Sequence, residues 1–165
     1  MIDRGPLGLT ILTFAAVLVA AVGSAVAGHR SRPDFSGTYV PANGKGEIIQ
    51  NADWILEVVQ TRTEIHVKGT FHGKSIANSF KLDGSVSQCT PPQGGIGPCT
   101  ARFEGRTLVF DKHATMPQAD GRGERQIHDT DRWALSPDSK TIRVDTAFIG
   151  GVGGVIWAKV QSRGR

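Results

Sequence analysis

Between Arg132 and Asp145, two segments of alternating apolar and polar residues flank Ser136-Pro-Asp-Ser139, a stretch that cannot easily continue as helix. Trp133 and Leu135 share a face of the first arm, Ile142 and Val144 a face of the second, and Pro137 with Asp138 sets the reversal. This is the pattern of a β-hairpin. A lone hairpin is marginal in water, so the rest of the chain must supply strands that bury the same face.

The rest of the chain repeats the pattern. Residues 54–60 place Trp54, Leu56 and Val58 on one face, and residues 63–68 direct Ile65 and Val67 one way and Glu64, His66 and Lys68 the other. Ile76, Asn78, Phe80 and Leu82 fall together in the next segment, and Leu108 and Phe110 in a later one. Between them stand turn signals: Thr61-Arg62, Phe71-His-Gly-Lys74, the hairpin pair Asp83-Gly84, Gly105-Arg106, a polar loop over 116–123, and Gly150-Gly-Val-Gly-Gly154, which reads as a turn before a last strand over 155–160. Strands recur about every 8 to 14 residues, and no amphipathic helix of convincing length interrupts them. The expected fold is all-β, an antiparallel up-and-down meander of about 8–10 strands closed into a barrel, because closure removes exposed edges.

The apolar run Leu7–Val26 follows Arg4 and ends in Ala25-Val26-Ala27, the small-residue pattern of a cleaved export signal, against the alternative of a retained anchor. The expected organisation is a signal peptide over 1–27, a flexible lead-in over 28–33, one barrel domain over 34–161 and a tail over 162–165. Cleavage would leave 138 of the 165 residues, enough for one domain with one core. The expected location is periplasmic or secreted, with no stable membrane insertion once the signal is removed.

Cys89 and Cys99 lie in the exported part, enclosing Thr-Pro-Pro-Gln-Gly-Gly-Ile-Gly-Pro. Their spacing is far from Cys-x-x-Cys and no histidine lies between them, so a structural disulfide is expected rather than a redox or metal pair. Closing so short a loop is worth on the order of 2 to 3 kcal/mol. The net charge of +4 comes from basic residues that alternate with acidic ones along the strands, which suits a solvated outer face and not nucleic acid.

Asp34-Phe-Ser-Gly-Thr-Tyr39, Phe103-Glu-Gly-Arg-Thr-Leu-Val109 and Trp133-Ala-Leu-Ser-Pro-Asp-Ser-Lys-Thr-Ile142 resemble motifs of small secreted bacterial lipocalin-like, calycin-type barrel proteins of unknown function. Tyr39 stands where that group has tryptophan, and Thr130-Asp131-Arg132 is only superficially like the lipocalin motif Thr-Asp-Tyr, a departure from that family. The resemblance implies a lipocalin-like barrel with an internal cavity. It carries over no catalytic residue.

No nucleophile elbow, His-Glu-x-x-His or phosphate loop is present. His66 points outward by alternation and His72 lies in a turn, so neither these nor His113 and His128 are expected to converge on a metal. Alternation back from Trp133 directs Asp129 and Asp131 inward, where they would line a cavity mouth, hold a ligand head group or act as acid and base. A β-bulge or a wet barrel rim would instead leave them structural. The leading expectation is a barrel binding a small, mainly apolar ligand against Trp54, Asn78, Phe80, Phe110, Asp129, Asp131 and Trp133, with no cofactor. The alternative is an envelope interaction module that presents the 89–99 loop to a protein partner and has no internal cavity. The least supported is an enzyme pairing Asp129 or Asp131 with a histidine.

Overall fold

A computed structural model describes residues 32–50, 52–91, 94–118, 121–148 and 150–160. The expected signal over 1–27, most of the lead-in and the tail over 162–165 lie outside the described residues. Ten strands follow one another: β1 (Gly37–Ala42), β2 (Ile55–Gln60), β3 (Glu64–Phe71), β4 (Lys74–Lys81), β5 (Ser87–Cys89), β6 (Gly97–Glu104), β7 (Thr107–Pro117), β8 (Glu124–Leu135), β9 (Thr141–Phe148) and β10 (Gly151–Val160). Each pairs antiparallel with its neighbours in the order β4-β3-β2-β1-β10-β9-β8-β7-β6-β5. The pairing of β1 with β10, Tyr39 opposite Lys159, brings the ends of the meander together. The fold is the expected all-β meander in a nearly closed barrel.

Closure is incomplete at one place. β4 and β5 are consecutive in the chain yet stand at the two ends of the sheet. Asp83-Gly84, expected to join a hairpin, does not. Gly84 takes φ 83°, its N–H donates to the Ala101 carbonyl, and Asp83 bridges to Arg102, so the turn delivers the chain to β6 instead. Asn78 ties the seam: its Nδ2 donates to the Thr90 carbonyl at 2.9 Å and its Oδ1 accepts the Thr90 N–H at 2.8 Å. The Cys89–Cys99 disulfide fastens the short β5 to β6 beside it.

A second expectation is corrected at the glycine run. Residues 151–154 are not a turn but the first half of β10, paired with Asp145–Phe148. A strand needs backbone pairing, not side chains, and the Phe148 ring lies alongside, 3.4 Å from where a Cβ on Gly151 and 3.7 Å from where one on Gly153 would stand. Pro33 is likewise not loose. It is buried, and its carbonyl accepts from Gln60 Nε2 while Phe35 N–H donates to Gln60 Oε1.

These contacts draw residues 33–36 across one end of the barrel. Phe35 and Tyr39 are fully buried there, the Tyr39 hydroxyl donating to the Phe35 carbonyl at 2.9 Å, among Ile65, Leu108 and Ile142. That end is packed solid. Ten strands, however, make a barrel wider than inward side chains fill throughout.

Candidate functional site

The unfilled part is a cavity of about 410 Å³. Its walls are the inward positions of β2, β3, β4 and β7 to β10, together with Trp54, Thr90 and Pro91. Strand alternation alone places them: on β7 Leu108, Phe110 and Lys112 turn in while Asp111 and His113 turn out. All seven residues singled out from the sequence, Trp54, Asn78, Phe80, Phe110, Asp129, Asp131 and Trp133, lie in this one wall.

Most of the wall is apolar and aromatic. Phe110 packs edge-on against Phe80 and tilted against Trp133, with both ring centroids 4.8 Å away. Trp133 also meets Phe35 at 6.3 Å, so it stands between the packed end and the cavity. Away from the packed end Trp54, Phe71 and Trp157 form a chain of edge contacts. Trp54 is only half-buried and precedes β2 rather than opening it. Its indole N–H donates to His72 Nε2 at 3.3 Å, and His72 Nδ1 meets Asp53 at 2.9 Å, which fixes the imidazole's tautomer and holds the Trp54 ring against Phe71.

Against this apolar wall stands one charged group. Lys112 and Asp129 are 8% and 4% exposed, the only charged residues among the described ones that are buried. Lys112 Nζ donates to Asp131 Oδ2 at 2.7 Å, and Thr146 Oγ1 donates to Asp131 Oδ1 at 2.7 Å. No bulge turns the aspartates out: the β7–β8 ladder is continuous from Leu108–Trp133 to Pro117–Glu124, with Lys112 facing Asp129 and Phe110 facing Asp131. Burying Lys112 is tolerable because it is paired with Asp131, which Thr146 also hydrogen-bonds.

Sequence reasoning missed Lys112 and Thr146. Both continue the inward alternation, Lys112 after Phe110 and Thr146 after Val144, and that signal would have found them. A lysine flanked by Asp111 and His113 reads as part of a solvated face, which is why charge outweighed periodicity. The histidine-assisted acid–base reading lacks its geometry, since His113 and His128 lie on the outer face of the same strands. Trp133 adds one further polar feature: its Nε1 is the one buried side-chain nitrogen or oxygen among the described residues with no hydrogen-bond partner.

No family model and no curated protein matches the chain. Among solved structures, it is similar to lipid binding protein 8 of Caenorhabditis elegans in its apo form, with TM-score 0.57 and 10% identity over 76% of this chain and 95% of that one. It is also similar to a fatty acid transporter, REP1-NXSQ, with TM-score 0.59 and 12% identity over 79% of this chain and 98% of that one. At such identity the likeness is one of fold.

Proposed function

We propose that this barrel carries a small, mainly apolar molecule in its interior. The observation that carries the reading is the cavity of about 410 Å³, which lies in the size range of small-molecule sites and has mainly apolar, aromatic walls with one charged cluster around Lys112 and Asp131. The two similar structures are named for lipid binding and fatty acid transport, which supports the same class of ligand. Burial of the ligand's apolar body against Phe80, Phe110, Trp133 and Trp157 supplies the affinity. Its polar end is oriented by Lys112 and Asp131. The alternative, an interaction module built on the 89–99 loop, expects a barrel without a cavity, so the cavity favours the carrier reading over it.

The carrier acts outside the cytoplasm. The apolar N-terminal run ending in Ala-x-Ala supports export, and the Cys89–Cys99 bridge suits an oxidising compartment. Native mass spectrometry of untagged protein, purified without detergent and measured before and after organic extraction, tests the binding. A stoichiometric adduct removed by extraction is the expected result and gives the ligand class. Repeated absence of an adduct, together with failure to bind a hydrophobic fluorescent probe, overturns it.

A further inference from the structure

The two strands that carry the charged group into the cavity carry a second cluster on their opposite face. Alternation that turns Lys112 and Asp129 inward turns Asp111, His113 and His128 outward, where they are half-buried or exposed. His113 and His128 are direct partners across the ladder, and Asp111 stands two pairs along, on the same face, opposite Thr130. The two imidazoles stack with centroids 4.0 Å apart and planes 21° apart. His128 Nε2 lies 2.8 Å and His113 Nε2 3.5 Å from the same oxygen, Asp111 Oδ1, and the three ligating atoms all fall within 4.8 Å of one another.

The geometry points to a divalent transition-metal site on the outer face of the barrel, with Asp111, His113 and His128 as ligands. A tetrahedral ion with bonds of about 2.1 Å needs donor atoms about 3.4 Å apart, and the two separations from Asp111 Oδ1 stand on either side of that value. Small side-chain rotations on a fixed ladder therefore suffice. Without an ion one carboxylate oxygen serves two imidazoles. With one, both rings take the tautomer protonated at Nδ1, and each presents its Nε2 lone pair. No cation competes from the facing positions, which are Thr100 on β6 and Thr130 on β8, while Arg132 is drawn to Glu104. Two imidazoles and a carboxylate suit Zn2+, Ni2+ or Cu2+ and not Mg2+ or Ca2+, and the exposed side leaves coordination positions to water.

Titration calorimetry of untagged, chelator-treated protein with Zn2+ alone, and separately with Mg2+, tests the site. One Zn2+ per chain is expected, with no heat from Mg2+, and binding at least tenfold weaker in His113→Asn and in His128→Asn. His66→Asn, on the outer face of β3, should bind as the unaltered protein does. The variants face away from the cavity and from the core, so circular dichroism and hydrophobic-probe binding should not change. Zn2+ binding that is unaltered in the double variant His113→Asn/His128→Asn, or none at millimolar Zn2+, overturns the assignment.

Discussion

Tyr39 is the single tyrosine of the chain, and its hydroxyl is committed to the Phe35 carbonyl at the packed end. Burial, with the Asp34 carboxylate beside it, pushes its pKa up from 10 to about 12. A pKa raised by folding means that the neutral form is the one the barrel stabilises. The contribution is whole below the unfolded value near 10 and is lost as pH rises through 12. Because no other tyrosine absorbs, ultraviolet titration of the phenolate reads this group alone. The native midpoint should fall near 12 and move to near 10 in denaturant. Tyr39→Phe should flatten the loss of thermal stability between those two values, at a cost of about 1 kcal/mol at neutral pH for the missing hydrogen bond. A native midpoint at 10 would contradict the buried placement. Asn78 gives a second residue-scale expectation. It was picked out from the sequence as an inward polar residue facing a ligand, and it does line the cavity, but both ends of its amide are used on Thr90. Asn78→Ala leaves a backbone donor and acceptor unmatched at the seam and should lower stability by about 1 to 3 kcal/mol, read from a urea melt. It should also speed ligand release, because the seam borders the cavity.

At the scale of elements, β5 is the exposed one. It has three residues, pairs only with β6, and faces β4 across a seam held by the Asn78 amide. The disulfide pins it, so Cys89→Ser/Cys99→Ser should cost about 3 kcal/mol in the chain-entropy account. Hydrogen exchange should localise the new opening to residues 85–91 and the start of β6, leaving the β7–β8 ladder protected. Equal loss of protection across all ten strands would show that the bridge acts on the whole barrel and not on its edge. The same region marks where sequence reading stopped. The inward sets Leu56–Val58, Phe110 and Trp133, and the inward turn of Asp129 and Asp131, follow from alternation, because period two survives wherever a strand is continuous. Asp83-Gly84 carries a hairpin signal whether or not its flanking strands pair, since pairing is decided by the distant Ala101 and Arg102. In Gly151–Gly154 only Val152 has a side chain, so no alternation can be read, and the strand is visible only in its pairing with Asp145–Phe148. The meeting of His113 with His128 depends on a cross-strand register fixed over the whole length of β7 and β8.

At the scale of the whole barrel, the described residues combine a solid end and a hollow one within one sheet, the division that the proposed carrier function requires. Fully buried Phe35, Tyr39, Leu108 and Ile142 fill one end, and the space for a ligand is left at the other, among Trp54, Val67, Phe71 and Trp157. The two ends should respond oppositely to added volume. Val67 faces the cavity from β3 and is half-buried, with Gly69 next to it on the same face. Val67→Phe places a larger side chain into open space, so thermal stability should be unchanged or slightly raised while affinity for a hydrophobic probe falls at least tenfold. Ile65, two residues earlier on the same face, is fully buried at the packed end. Ile65→Phe must displace neighbours and should destabilise by about 1 to 3 kcal/mol, while probe affinity in the folded fraction stays near that of the unaltered protein. Melting curves and probe titrations of the two variants, measured side by side, separate a hollow barrel from a filled one. If Val67→Phe destabilises as much as Ile65→Phe, the space at the far end is not open in solution, and the proposed carrier function loses its physical basis.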